Sequence, residues 1–315
     1  MTPFSTRTAL IAALLAACAS CSTKAAGPAG TPELKIHASK ADVRPTRAKG
    51  LTWRSAVELQ ADHDGFGGFS GLHITDGHMV AVTDAGWWLL ADLKTTPDGL
   101  VPGRAGFLPM RGSDGETFNK SGGDAEALTT RDGRLVVAFE RDHRIMFHDI
   151  EEKLRGVIRD RLFENLGSNK GIEALATTPD GWLLAIAEGD AGAAAPVFRV
   201  KYSGEVTARV LPLVGDHRVT GADVGPDGRL YVLRRRYAPI TGVSIIVERF
   251  HLDDEGFPLP KTREELAFFD SLTGIDNMEG LAVWTDSAGT TRLTLIADDN
   301  FNILQRTLLI DFEIN

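Results

Sequence analysis

The sequence predicts an all-β protein and, within that class, a β-propeller built from four-stranded blades. Two observations lead to this prediction. The apolar runs are short, bounded by glycines and rich in Val, Ile and Leu, which is typical of strands rather than of helices. One hairpin pattern also recurs five times along the chain, which indicates a repeat architecture. The number of copies predicts five blades.

Each copy has a small residue and an apolar residue near the start of its first strand, then a turn with Gly, then a second apolar strand that ends in a charged residue. Four turns contain Asp-Gly, the strongest short signal for a hairpin. The copies begin 47 to 59 residues apart, close to the length of a four-stranded blade. They start at Ser70, Glu126, Glu173, Thr220 and Glu279.

The segments between copies are predicted to supply two more strands each. These strands are expected at 144–149 and 157–163, at 197–202 and 207–213, and at 244–252 and 265–269. After the fifth copy only one strand remains, at 304–314, and its missing partner is predicted before the first copy, at 52–59. Pairing of these terminal strands would close the ring and leave no long free edge. A sixth, degenerate blade within 34–68 stays open as an alternative.

The first residues predict export. Residues 1–17 contain Arg7, no acidic residue and an apolar run too short to span a bilayer, which is the signal-peptide pattern. The segment Leu15-Ala16-Ala17-Cys18 resembles the bacterial lipobox, which implies acylation of Cys18 and an anchor in the cell envelope. We expect a tether over 18–33 and one propeller domain over 34–315. Ordinary secretion with later cleavage near 25–27 is the alternative.

Composition narrows the function. The formal net charge is −9, which disfavours nucleic-acid binding and suits divalent cations. Cys18 and Cys21 are the two cysteines, so the propeller region has no disulfide and no thiolate ligands for zinc. We expect a monomer on the periplasmic side of the envelope. Because Ala19 and not Asp follows Cys18, the outer membrane is favoured.

Two positions of the repeat carry most of the candidate chemistry. The first strand of a propeller blade lines the central channel, so the open ends of all five hairpins should meet at one rim. The first position, which opens the first strand, and the second, which closes the second strand, are neighbours there. Seven of the ten residues are carboxylates. The first position holds Ser70, Glu126, Glu173, Thr220 and Glu279, and the second holds Asp84, Glu140, Glu188, Arg235 and Asp298.

Carboxylates crowded on a narrow rim repel one another unless they are solvated, protonated, paired with a base or bound to a cation. Oxygen ligands favour calcium first, with magnesium or manganese less favoured. We predict a metal site that draws on Glu126, Glu173, Glu279, Asp298 and Asp84. Glu140 and Glu188 are the candidate bases, and Arg235 would receive an anionic group such as a phosphate. A purely structural lattice of ion pairs is the alternative.

Four of the hairpins resemble those of the phytase-like propeller family, named for an esterase-like activity of phytase. The segments are Gly68-Phe69-Ser70-Gly71-Leu72, Asp124-Ala125-Glu126-Ala127-Leu128, Gly171-Ile172-Glu173-Ala174-Leu175 and Met278-Glu279-Gly280-Leu281-Ala282. The resemblance spans roughly 50–312 and implies an exported propeller that hydrolyses phosphate or other esters with calcium. The phytases themselves are rich in lysine around their phosphates, whereas few bases lie near these hairpins, which counts against phytate.

The sequence therefore predicts an exported, calcium-dependent ester or phosphoester hydrolase. Its substrate would be a small anionic or ester compound bound at the channel rim. The alternative from another class is a non-catalytic envelope scaffold, which binds a ligand or protein over the same rim and holds a structural cation. Membrane contact would arise through the lipid anchor alone.

Overall fold

The computed structural model describes residues 33–315 except 113, 120, 150–152, 168–169, 190–192 and 202. Cys18, the predicted signal peptide and nearly all of the predicted tether lie outside the described residues, so export and acylation stay predictions. No helix in the described part of the chain has both the length and the apolar character needed to cross a bilayer.

Short strands dominate the described residues, with one helical turn, α1 (Arg161–Glu164), and two 3-10 turns at Pro260–Thr262 and Ser271–Thr273. The strands are β1 (Glu33–Leu34), β2 (Ile36–Lys40), β3 (Arg47–Ala48), β4 (Leu51–Ala61), β5 (Phe69–Thr75), β6 (His78–Thr83), β7 (Trp87–Thr96), β8 (Gly99–Pro109), β9 (Ala125–Arg131), β10 (Arg134–Phe139), β11 (Arg144–His148), β12 (Leu154–Ile158), β13 (Ile172–Thr177), β14 (Leu183–Ala187), β15 (Ala194–Val200), β16 (Val206–Pro212), β17 (Arg218–Val224), β18 (Leu230–Ala238), β19 (Gly242–Phe250), β20 (Glu264–Phe269), β21 (Asn277–Thr285), β22 (Thr291–Asp298) and β23 (Leu308–Ile314).

The strands form five antiparallel sheets, and each sheet is one blade. Blade 1 is β5 to β8, blade 2 is β9 to β12, blade 3 is β13 to β16 and blade 4 is β17 to β20, each in chain order. Blade 5 is β21, β22, β23 and then β4. The innermost strands β5, β9, β13, β17 and β21 contact one another in sequence, and β21 returns to contact β5. The predicted five-bladed propeller is confirmed.

The ring closes as predicted, because the N-terminal strand β4 completes the last blade. It pairs antiparallel with the C-terminal strand β23, with Leu309 opposite Val57 and Ile310 opposite Ala56. The two ends of the domain are thereby hydrogen-bonded to each other. This arrangement leaves neither terminal strand as a long free edge of the ring.

One alternative is excluded and one strand prediction is wrong. Residues 34–68 form no sixth blade, because β2, β3 and β1 instead add fifth strands to the outer edges of blades 5, 4 and 1. The strand predicted at 157–163 ends at Ile158. Its second half is α1, where the Asp160 side chain accepts a hydrogen bond from Leu162 N and caps the helix, while Phe163 is buried.

The hydrophobic core is divided among the five interfaces between neighbouring blades. Each interface encloses one cluster of buried apolar side chains. The cluster between blades 1 and 2, for example, contains Trp88, Leu128 and Phe139. Burial of apolar area between the sheets contributes to holding neighbouring blades together.

The neck of the channel is very narrow, and this explains the small residues that follow the first repeat position. Its free volume is about 10 Å³, roughly that of one water molecule. A Cβ on Gly221 would lie 2.5 Å from Glu279 O of the next blade. A Cβ on Gly71 would lie 2.8 Å from Leu128 N of the next blade. Neighbouring backbones therefore approach too closely for larger side chains.

We predict that Gly221→Ala lowers the free energy of unfolding by about 1–3 kcal/mol, because the added methyl group must push two blades apart. Gly156→Ala is the matched control, since a Cβ there meets its nearest neighbour, a Phe147 ring carbon, at an ordinary 3.9 Å on an outer strand. Denaturant unfolding measures both. Equal stability of the two variants would contradict the crowded neck.

Candidate cation site at the channel rim

A β-bulge presents the first repeat position of every blade at the same rim. In each hairpin the register between the first and second strands shifts by one residue at this position. In blade 2, Ala125 is opposite Phe139 and Ala127 is opposite Ala138, so Glu126 is the extra residue. A bulge turns the side chain of its extra residue away from the regular pleat. The bulged residues are Ser70, Glu126, Glu173, Thr220 and Glu279.

The second repeat position lies across the hairpin, one step nearer the mouth of the channel. The N–H of Glu140 donates to Asp124 O, and the N–H of Glu188 donates to Gly171 O, at 2.9 and 3.3 Å. Asp84 N–H donates to Gly68 O in the same way. In blades 4 and 5 the corresponding residues are opposite Arg218 and Asn277. The ten predicted rim positions thus share one end of the channel.

Glu126 and Glu173 occupy the most repulsive part of the rim. Burial and then the negative charges of Glu173, Asp124 and Glu140 raise the pKa of Glu126 well above its usual range. Burial and then the charges of Glu279 and Glu188 do the same to the pKa of Glu173. Neither carboxylate has a Lys or Arg nitrogen within 4.0 Å among the described residues.

The ligand prediction omitted one acid, Asp124, although it lies two residues before Glu126. One carboxylate oxygen each from Asp124, Glu126 and Glu140 lies within 4.8 Å of the other two. Asp124 is buried and also contacts Arg141 Nε at 2.6 Å, while Glu140 accepts a hydrogen bond from Gly171 N at 3.2 Å. The position of Asp124 opposite Glu140 in the hairpin was the signal that could have identified Asp124 from the sequence.

Asp298 and Asp84 face each other on another part of the rim, between blades 5 and 1. Burial, partly offset by the N–H of Asn300 and increased by the charges of Glu279 and Asp84, raises the pKa of Asp298 to about 7. Asn277 Nδ2 also donates to Asp298 at 3.0 Å. The five predicted ligands therefore divide between two sides of the rim, with Glu279 between them.

Arginines neutralise the side of the rim formed by blades 3, 4 and 5. Arg235 Nε lies 3.1 Å from Glu279 Oε1, and Arg218 Nη1 donates to Glu188 Oε1 at 2.7 Å. Burial raises the pKa of Glu279 to about 7 against the opposing effect of Arg235. The predicted anion receiver Arg235 and the predicted base Glu188 are therefore both held in ion pairs, as the structural alternative expected for this side.

The two hydroxyl residues of the ring brace the bulges of the blades that follow them. Ser70 Oγ donates to Ala125 O at 2.5 Å, and Thr220 Oγ1 donates to Met278 O at 3.0 Å. Each acceptor is the carbonyl immediately before a bulged glutamate. These hydrogen bonds between blades hold the backbone from which Glu126 and Glu279 project.

The donor set of Asp124, Glu126 and Glu140 fits a hard divalent cation. All of its side-chain ligands are carboxylate oxygens, which calcium prefers. Their mutual repulsion is what a bound cation would relieve, and Arg141 neutralises only one of them. The candidate site is therefore the rim of the propeller channel. On one half of this rim the carboxylates have few basic partners, and on the other half arginines neutralise them.

This fold and rim define the class as a propeller with a carboxylate-lined channel mouth. The profile of the phytase-like family, described as "Esterase-like activity of phytase", matches residues 64–301, and the chain belongs to that family. All five bulged rim residues lie inside the matched range. No curated protein is similar enough to the chain to count as a relative.

Solved structures with similar coordinates are distant. A PQQ-bound aldose sugar dehydrogenase from Streptomyces coelicolor is 15% identical, with a TM-score of 0.46 over 91% of this chain and 100% of that one. A gluconolactonase from Xanthomonas campestris is 14% identical, with a TM-score of 0.44 over 93% and 100%. The calcium-binding protein regucalcin from Agrobacterium tumefaciens is 14% identical, with a TM-score of 0.42 over 90% and 95%.

We predict that calcium raises the melting temperature more at pH 8 than at pH 5. The carboxyl groups of Glu279 and Asp298 have pKa values of about 7 in the folded state, against ordinary values of 4.5 and 3.8. They therefore keep their protons at pH 5 and lose them at pH 8. Their contribution to stability is present near pH 4 and is lost as the pH rises to about 7. Calcium would bind the ionised rim and compete with protons. Differential scanning fluorimetry at both pH values checks this, and an equal shift at both would contradict it.

We also predict that Glu126→Gln stabilises the protein in the absence of divalent cations at pH 8. Removing one uncompensated charge should raise the free energy of unfolding by about 1–3 kcal/mol, the scale on which an unsatisfied buried group destabilises a fold. The same variant should lose most of its stabilisation by calcium. Glu116→Gln, an exposed acid in the loop before β9, is the control. Denaturant unfolding with and without calcium distinguishes them, and a destabilised Glu126→Gln would contradict the prediction.

Proposed function

We propose that the protein is a calcium-dependent hydrolase of esters or phosphoesters that acts at the channel rim. Membership of a family defined by an esterase-like activity supports the hydrolase class. The observation that carries the proposal is the pair Glu126 and Glu173, two partly buried carboxylates with no basic partner beside a half-rim balanced by arginine. Carboxyl groups whose pKa values are strongly raised by burial and by neighbouring charges in a cleft are candidates for a functional site.

Asp124, Glu126 and Glu140 would hold the calcium ion, since their oxygens lie within reach of a single ion. When bound, the ion would neutralise this cluster and polarise an oxygen of the substrate ester. Gly171 N–H donates to Glu140, and the Arg141 guanidinium contacts Asp124, so both carboxylates are oriented by second partners. These contacts prepare the side chains for a ligand at the mouth.

Glu173 is the best placed general base. Its pKa is raised by burial and by Glu279 and Glu188, and Arg235 partly opposes that rise. A carboxylate of this kind can accept a proton from a water molecule as that water attacks the ester, and can return the proton to the leaving oxygen. Glu188 is less suited to this role because Arg218 holds it.

Glu140 and Glu173 exchange the roles that were expected for them from the sequence. Glu140 was expected as a base and Glu173 as a ligand, but Glu140 shares the three-carboxylate cluster whereas Glu173 lies towards Arg235. Arg235, which was expected to receive an anionic group, instead contacts Glu279 and is balanced by it. Asp84 and Asp298 would act as a second, outer group of carboxylates.

Export and lipid anchoring through Cys18 remain part of the proposal, as does a monomeric state in the cell envelope. They are supported by the signal-peptide pattern and the lipobox-like segment alone. In that location the rim would meet substrates outside the cytoplasm, where free calcium is plentiful enough for sites of modest affinity.

We predict that the protein hydrolyses p-nitrophenyl phosphate or p-nitrophenyl carboxylate esters when calcium is present and not after chelation. Glu173→Gln should lower kcat by about 10²–10⁴-fold, because it removes a general base, while stabilisation by calcium persists. Glu126→Gln should lose both properties, and Glu116→Gln should keep both. Absorbance of nitrophenolate measures turnover.

Two outcomes would contradict this prediction, the first by rejecting the hydrolase and the second by rejecting the role of Glu173. No turnover of either ester class, together with calcium-dependent stabilisation, would favour the non-catalytic scaffold. Turnover that survives in Glu173→Gln would remove this residue from the mechanism.

A further inference from the structure

A cavity of about 750 Å³ opens next to the arginine-balanced half of the rim. The extended β18–β19 hairpin forms one wall, and Glu188 and Arg235 form the side that faces the channel mouth. The cavity is much larger than the neck, where about 10 Å³ is free. A molecule that reacts at the rim would therefore extend into this cavity and not down the channel.

One guanidinium in the cavity remains available for an anion. Arg218 and Arg235 contact Glu188 and Glu279, but Arg236 has no carboxylate within 4.0 Å among the described residues. Its Nη2 donates to Thr241 at 2.7 Å, and its buried Nε has no hydrogen-bond partner in the described part of the chain. An anion bound in the cavity would give the Arg236 guanidinium a charged partner.

The hairpin tip adds an apolar wall to this cationic site. Tyr237 is 64% exposed and Ile240 is 98% exposed, although both line the cavity. The 3-10 turn Ser271–Thr273 lies against the hairpin, since a Cβ on Gly242 would meet Ser271 Cβ at 2.9 Å. Its Leu272 is 93% exposed.

The apolar surface continues into blade 5. Arg306 Nη2 donates to Gly274 O, and its backbone N–H donates to Asp276, so the loop after β22 is tied to the 3-10 turn. That loop exposes Ile303 and Leu304 by 98% and 86%. Scattered exposed apolar residues are ordinary, but Leu272, Ile303 and Leu304 lie on two loops that are hydrogen-bonded to each other.

We propose that the cavity binds an amphiphilic anion, with the anionic group on Arg236 and an alkyl or aryl chain along Tyr237 and Ile240. This inference rests on the proposed function. Together they make the substrate an ester that carries both a negative group and an apolar chain. A highly charged polyol phosphate is disfavoured, because two of the three guanidiniums already neutralise rim carboxylates. The apolar wall would have no partner in such a ligand.

Calorimetric titration with alkylphosphonates of increasing chain length tests this, because a carbon–phosphorus bond is not hydrolysed as an ester. All ligands stay below their micelle concentrations, with and without calcium. We expect affinity to rise about twofold per added methylene, less than the roughly fourfold gain of complete burial because the wall is partly open. Methylphosphonate should bind weakly.

The variants separate the two parts of the site. Arg236→Gln should weaken binding of every chain length by about tenfold, since it removes a charged donor. Ile240→Ser combined with Tyr237→Ser should abolish the dependence on chain length while leaving methylphosphonate unaffected. Val210→Ser is the matched control, since Val210 is 63% exposed on the outer strand β16, away from the cavity, and it should behave like the wild type.

Affinity that does not change with chain length, or a gradient that survives the hairpin double variant, would overturn the proposal. Binding to phosphatidylcholine or anionic vesicles but not to monomeric phosphonates would also overturn it and make the apolar surface a membrane contact. Graded binding without turnover of any ester would leave this site standing and reject the hydrolase, whereas turnover without graded binding would do the reverse.

Discussion

The close approach of five inner strands around one axis is the constraint on which the rest of the structure depends. At the neck, a backbone oxygen of one blade lies within 2.5 Å of where a Cβ of Gly221 would be. Because side chains cannot enter this space, small residues follow the rim position in every blade. The bulge one residue earlier then directs a longer side chain to the mouth, where there is room. The three residues of the repeat motif therefore occupy three different environments. The Glu projects from the bulge, the small residue fits the crowded neck, and the Leu packs in the core.

The same geometry explains why charge accumulates at one end. Five bulges that project into one opening would bring their side chains together whatever those side chains were. Ser70 and Thr220 turn this proximity into hydrogen bonds between blades. Glutamates at the other three positions turn it into repulsion, which Arg235 relieves for Glu279 but which no described base relieves for Glu126. The asymmetry of the rim follows from which blade carries arginine at its second position.

The sequence predicted blade number, ring closure and the shared rim because these depend on local patterns that repeat. It failed where one residue outweighed a pattern: Asp160 caps a helical turn within a segment that resembles a strand. It left the role of residues 34–50 open, because β1, β2 and β3 add to the edges of blades that are distant in sequence. Pairings of rim residues could not be predicted, because the partner of Arg218 is Glu188 in another blade and side-chain reach across a channel is not encoded in spacing. Asp124 could have been found by comparing the residues opposite each second position.

A rim divided between bare carboxylates and arginine-balanced carboxylates imposes a direction on any ligand. An anionic group is repelled by Glu126 and Glu173 unless a cation is present, but it is attracted towards Arg236 with or without one. The exposed apolar side chain of Ile240 lines the same cavity as Arg236. A ligand with charge at one point and hydrocarbon at another would satisfy both features in a single orientation. Carboxylates, a guanidinium and apolar side chains around one mouth would therefore favour ligands that combine an anionic group with an apolar chain.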